Sequence, residues 1–188
     1  MSHTSEFAAA RVSRSLVLSV PADAIRLTAR MLRSMREMEA CCFWFGSRSN
    51  TMVGSVEAIV VPQQENRGGN YHVTPEAMLR VGDAVRAFGW KNLAQVHSHP
   101  GPGVQHSPYD DEMANSRRAL SLVFPDYGDL PGMWRFRGWL WRLWPKPFPS
   151  AIGVHAFMDG RWEYLAEYEA MARFTLTGGK RVRLLDLR

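Results

Sequence analysis

The apolar and polar positions of this chain change period several times, and each change marks an element. A short apolar run, Leu16 to Val20, ends at Pro21. Beyond it Ala24, Leu27, Met31, Met35 and Met38 recur at steps of three or four, which is the spacing of one helix face. Glu39 to Phe45 is rich in aromatic residues, Cys and Ala and closes on Gly46, so it reads as a buried strand; Met52 to Val61 reads as another. The polar stretch Pro62 to Asn70 reads as a loop. A second helix follows: Thr74 can cap it, Pro75 suits its first position, Met78, Val81, Val85 and Phe88 form one stripe, and Gly89 stops it. Leu93 to His97 has the pattern of a strand running into the Gly/Pro-rich loop Pro100 to Gly103, and Ser107 to Arg117 that of a short helix. Ala119 to Phe124 and Ala151 to Met158 are further strands, and Trp162 to Leu165 pairs with the latter across Asp159-Gly160.

Helices that alternate with strands, followed by a strand-rich end, indicate an α/β or α+β sheet with helices on its faces. With 188 residues, 46% of them hydrophobic, the chain can bury one core of its own. The expected layout is a flexible tail over 1–14, one domain over 15–178 and a basic tail over 179–188. The net charge of +5, from 23 Lys+Arg against 18 Asp+Glu, is modest for a nucleic-acid binder. Arg11, Arg14, Lys180, Arg181, Arg183 and Arg188 carry much of it near the termini, so nucleic acid is not an expected partner. No stretch approaches the roughly 18 to 20 apolar residues that cross a bilayer, and Met1 to Arg14 lacks the apolar core of a secretory signal. A membrane is therefore not expected, and the cytoplasm is. Cys41 and Cys42, as strand neighbours, leave the backbone in opposite directions and do not bridge each other.

The chemistry concentrates in His97-Ser98-His99-Pro100, then six residues, then Ser107-Pro108-Tyr109-Asp110. Residues two apart on a strand share a face, so His97 and His99 can aim both imidazoles at one point while Ser98 faces away. A catalytic zinc usually takes three protein ligands and keeps a position open, and Asp110 is the oxygen donor close downstream. The loop between supplies the turn that brings Asp110 back to the strand end. The same residues also spell an ordinary helix start, in which Ser107 caps and Asp110 favours the positive end. His106 reads as a solvated loop residue and Asp111 as pointing away from the site.

The pattern H-S-H-P-x6-S-x-x-D, filled by His97, Ser98, His99, Pro100, Ser107 and Asp110, resembles the motif of the JAMM (MPN-plus) metalloproteases, and the compact size looks like their prokaryotic JAB branch. That family also carries a glutamate followed seven residues later by glycine, a spacing met by Glu39 and Gly46; Glu37 lacks the matching glycine. Cys42 departs from the glycine that many relatives carry there. The resemblance covers about Leu16 to Phe124. It implies an α/β MPN fold, a mixed sheet flanked by helices with cytidine-deaminase-like layering, and a single Zn2+ held by His97, His99 and Asp110. Glu39 would act as general base and acid, and Ser107 would donate to the oxyanion. The implied substrate is a bond after the C-terminal tail of a ubiquitin-like protein or its conjugates. Ubiquitin-activating-like and conjugating-like enzymes are implied companions, and sulfur-carrier conjugates or a catalytically silent scaffold are the alternatives. After the family core, Gly132 to Pro149 intersperses Trp134, Trp139, Trp141 and Trp144 with Arg135, Arg137 and Arg142. This insertion suits a second small core or a docking segment for a partner protein, and less well a membrane or nucleic-acid contact.

Overall fold

The computed structural model describes residues 16–35, 37–49, 52–67, 69–114, 116–130 and 148–188. Strand β1 (Val17–Pro21) leads directly into helix α1 (Ala22–Ser34). Pro21 supplies the extended backbone at this junction, and Asp23 places a carboxylate at the positive helix end. The helix stops short of the full apolar stripe: Met35 lies just past its end, still against the core, and Met38 is exposed. The buried face is Ala24, Ile25, Thr28, Ala29, Met31 and Leu32.

Strands β2 (Cys41–Arg48) and β3 (Val53–Val61) pair antiparallel at the centre of a mixed sheet of nine strands. Gly46 lies where their register shifts, and a Cβ there would meet the Ser55 carbonyl at 1.8 Å, which explains glycine at the end of this aromatic run. Next come the small strands β4 (Glu65–Arg67) and β5 (Asn70–His72), then helix α2 (Pro75–Arg86), whose Thr74 hydroxyl accepts from the Ala77 amide. The expected polar loop over 62–70 is thus partly a hairpin, too short and too polar to betray itself by period. Strand β6 (Lys91–Ser98) pairs antiparallel with β2 and parallel with β7 (Leu120–Phe124). Between them stands helix α3 (Pro108–Met113), which ends four residues earlier than Arg117 because Ala114 is already extended. Strands β8 (Gly153–Met158) and β9 (Arg161–Tyr164) form the expected hairpin, with Asp159 and Gly160 at positive φ in its turn.

Alternation along β2 sorts the core into two layers. Cys42 and Trp44 join α1 on one face, where the Trp44 indole donates to Thr28 Oγ1 at 2.8 Å. Cys41, Phe43 and Phe45 join Tyr71, Val81 and Val85 on the other. Both cysteines are buried and free, one in each layer. Helices therefore flank a mixed sheet on both sides, the α/β layering expected of an MPN fold.

The end of the chain departs from expectation. After helix α4 (Glu167–Met171), β10 (Phe174–Thr177) pairs parallel with β1, and β11 (Arg183–Asp186) pairs parallel with Ala58 to Val61 of β3. Residues 179–188 are thus not a free basic tail. Their arginines drew attention to charge, whereas Val182, Leu185 and Leu187 supply the apolar contacts that seat the strand. Of the insertion, Phe148 packs near Trp44 and Phe174, with ring centroids at 6.3 Å and 5.1 Å. Its tryptophans and the tail 1–14 lie outside the described residues. No helix among the described residues is long and apolar enough to cross a membrane.

Removing residues 182–188 should leave half of β3 without its neighbour and uncover the second layer. The expected cost is about 2–4 kcal/mol, from one buried and two half-buried aliphatic side chains. Urea unfolding of the shortened chain checks this, and an unchanged midpoint would contradict the packing role of β11.

Candidate metal centre

Three elements converge at the end of β6. His97 lies on the same face of β6 as Gln95, pointing to the layer of α2 and the small hairpin, and Tyr71 from β5 covers its ring at a centroid distance of 5.4 Å. His99 follows just beyond the strand. Its Nδ1 lies 3.0 Å from the Gly103 carbonyl, which can only accept, so Nδ1 carries the proton and Nε2 is left with its lone pair. Asp110 is the third residue of α3 and the only buried one in that helix. Its Oδ2 accepts from the Ser107 amide at 2.7 Å and from the Ser107 hydroxyl at 2.8 Å, while Ser107 Oγ accepts from the Asp110 amide. The helix-start reading and the site reading of Ser107 and Asp110 are therefore the same geometry.

The loop joining these elements has a fixed seat. A Cβ on Gly153 of β8 would meet the Val104 carbonyl at 2.0 Å, so glycine lets the loop lie against the sheet. As a result, His97 Nε2 stands 3.2 Å from His99 Nε2 and 3.3 Å from Asp110 Oδ1, and His99 Nε2 stands 3.4 Å from Asp110 Oδ2. Three donors about 2.0–2.2 Å from one zinc at tetrahedral angles stand about 3.3–3.6 Å apart, so the spacing of the two imidazole nitrogens and the Asp110 carboxylate is of the size a single ion requires. This is the one group of at least three such ligands found among the described residues. His97 Nδ1 is buried with no hydrogen-bond partner.

Glu39 arrives from the other side. It is buried, unlike the exposed Glu37, and the residue after it is stitched to β6: the Ser98 amide donates to the Ala40 carbonyl at 3.0 Å, and the Ala40 amide donates to Ser98 Oγ at 3.2 Å. Asn66 of the small hairpin donates to the Glu39 carbonyl, and the Gln64 side chain bonds both backbone groups of Cys41. Burial raises the Glu39 pKa; His99 lowers it and Asp110 adds to the rise, so its carboxyl senses both. Burial opposes charge on Asp110 too, but the close approach of His97 and His99 and the hydrogen bonds from Ser107 outweigh it and hold the group far below the carboxylate range.

His106 is not the solvated loop residue its neighbours suggest. Its side chain is 4% exposed, with Nδ1 2.8 Å from Asp111 Oδ1 and Nε2 2.8 Å from Ser121 Oγ. Asp111, expected to point away, thus pairs with the residue before Ser107. Tyr71, Asn66, Gln64, Ser121 and His155 also escape sequence reading, because none carries a local pattern and each reaches the site through the fold.

A family model described as prokaryotic homologs of the JAB domain matches residues 21–140, which include the two histidines, Asp110, Ser107 and Glu39. The chain belongs to this family. Among solved structures, the JAB chain is similar to the solution structure of protein DSY2949 from Desulfitobacterium hafniense. The two are 16% identical at a TM-score of 0.60, over 87% of this chain and 94% of the other. That likeness speaks to the fold alone. No curated protein matches.

The buried histidines of this JAB domain make its stability depend on pH. Burial, then His106 and His97, push His155 down to about 2, and burial also lowers His97 and His106. Such groups are neutral in the folded state and charge on unfolding, so below about pH 6.5 the unfolded chain binds more protons and stability falls with pH. His99 acts in the opposite sense: burial lowers its pKa, but Asp110 and Glu39 more than offset that. Glu39, also raised, joins it, so two groups stand against three, of which His155 is shifted furthest. The metal-free protein should therefore melt at a lower temperature at pH 5 than at pH 7, and an equal or higher melting temperature at pH 5 would contradict the buried neutral histidines.

Proposed function

We propose that this JAB domain is a zinc-dependent peptidase or isopeptidase that hydrolyses the bond after the C-terminal tail of a ubiquitin-like protein. The observation that carries the reading is the triangle of His97, His99 and Asp110 donor atoms with the buried Glu39 carboxyl beside it. Zinc in such a site supplies a Lewis acid and makes hydroxide available near neutral pH. The chain's own residues would do the rest. Glu39, with its pKa raised by burial, is better matched than an ordinary carboxylate to take a proton from the attacking water and pass it to the leaving amine. Ser107 would turn its hydroxyl hydrogen from Asp110 Oδ2 to the oxyanion while Oγ stays anchored by the Asp110 amide.

The hairpin of β4 and β5 supports a tail-binding role. Its strand β4 pairs only with β5 among the described residues and so has a second edge to which an extended peptide could add by backbone hydrogen bonds, whereas the Tyr71 carbonyl of β5 already accepts from Tyr109. Asn66 and Gln64 hold that hairpin beside Glu39. Two free buried cysteines suit a reducing, cytoplasmic setting. Conjugates of sulfur-carrier proteins present the same kind of extended tail and belong in the same assay.

Alanine at His97, His99 or Asp110 should abolish stoichiometric zinc and cleavage together. Glu39→Gln should keep the zinc and lose most turnover, about 10²-fold or more, because the amide cannot accept the proton. Metal analysis and mass identification of products from ubiquitin-like fusions check both. If Glu37→Gln is the inactive variant and Glu39→Gln turns over normally, the assignment of the base is wrong.

A further inference from the structure

We infer that His106 is a positioning residue for the metal centre: braced between Asp111 and Ser121, it sets the place from which Ser107 and Asp110 meet His97 and His99. The inference rests on the metal reading above. It starts from a mechanical problem. Helix α3 has six residues, and Asp110 is the only one buried, so apolar packing does not anchor the helix to the sheet. Its far end is tied by Gln95, which donates to the Met113 carbonyl at 3.2 Å, and in its first turn the Tyr109 hydroxyl donates to the Tyr71 carbonyl at 3.0 Å. Its near end follows a loop rich in glycine and proline, and His106 is the last residue before the cap.

Every polar atom of the His106 side chain and its backbone N–H is engaged. The two ring nitrogens reach Asp111 on α3 and Ser121 on β7, each at 2.8 Å, and the backbone N–H donates to His155 Nε2 on β8 at 3.3 Å. The ring stacks on His155 at 3.7 Å and meets Trp162 of β9 edge-on at 5.7 Å. Three strands and the helix thus converge on one loop residue. Two bonds at opposite ends of a rigid ring fix both its position and its rotation. The braces also interlock: Ser107 with Asp110, and His106 with Asp111, tie the first turn of α3 twice, so a shift of His106 carries the Asp110 oxygens with it.

Ser121, His106 and Asp111 have the order of a nucleophile, a base and an orienting acid. Ser121 is 1% exposed, however, and a hydroxyl sealed in the sheet meets no substrate. The trio is a brace. Partners that orient metal ligands from outside the coordination sphere typically govern affinity by about 10–100-fold, and His106 acts on Asp110 indirectly, through Asp111 and the first turn of α3.

The test measures zinc affinity by chelator competition and the visible absorption of the cobalt-substituted protein, which reports ligand geometry independently of turnover. His106→Ala should weaken zinc by about 10–100-fold and shift the cobalt bands. His106→Asn, whose amide can still donate to Asp111, should recover part of the loss. Because a buried alanine can disturb folding, Asp111→Asn provides a surface control: its side chain is 51% exposed, and it should weaken zinc a few-fold with the melting temperature of the metal-free protein unchanged. Wild-type uptake with unaltered affinity and spectra in His106→Ala and Asp111→Asn overturns this inference alone. A wild-type protein that takes up no metal overturns it together with the metal reading.

Discussion

Two imidazoles and a carboxylate held 3.2–3.4 Å apart in a buried site present three electron-rich faces to one point, and such an arrangement is stable only with positive charge among them. Protons can supply part of that charge, and one cation can supply all of it. Much of the neighbouring structure is arranged to keep the three groups together. Ser98 ties β6 to the approach to β2, Gly103 orients His99, Ser107 caps α3 through the same carboxylate that faces the histidines, and Gly153 makes room for the loop. Each local choice looks ordinary alone, and the site exists because they agree.

How far sequence reading reached depended on whether a residue's role was local. The strand period placed His97 and His99 on one side, and the cap signal of Ser107 located Asp110 one turn into its helix; both are short-range regularities and both appear in the structure. The capped helix after Thr74 was legible for the same reason, as was the hairpin at Asp159-Gly160. What failed depends on distant contact. The β4–β5 hairpin is six residues of polar sequence whose order comes from Asn66 and Gln64 bonding the backbone near Glu39 and Cys41. Strand β11 was hidden by the basic residues around it, since Leu185 and the following Leu187 mean little until β3 stands beside them. His106 looked solvated because nothing local shows that Ser121 and His155, distant in sequence, close over it.

This division bears on function. The groups proposed to do chemistry, Glu39, Ser107 and the three ligands, come from strand ends and a helix start, where backbone geometry controls their direction. Groups that hold them come in part from the far strands β7 to β9 and from the hairpin. A substrate tail of the proposed kind, added to the hairpin, would press on the element that carries Tyr71 against His97.

His97, His99 and Asp110 are placed to form one metal site. X-ray absorption at the zinc edge of the wild-type protein tests it most directly. The expected result is one ion per chain with two imidazole nitrogens and a carboxylate oxygen at about 2.0–2.2 Å. Absence of stoichiometric zinc, or sulfur ligation at about 2.3 Å from Cys41 or Cys42, would contradict it.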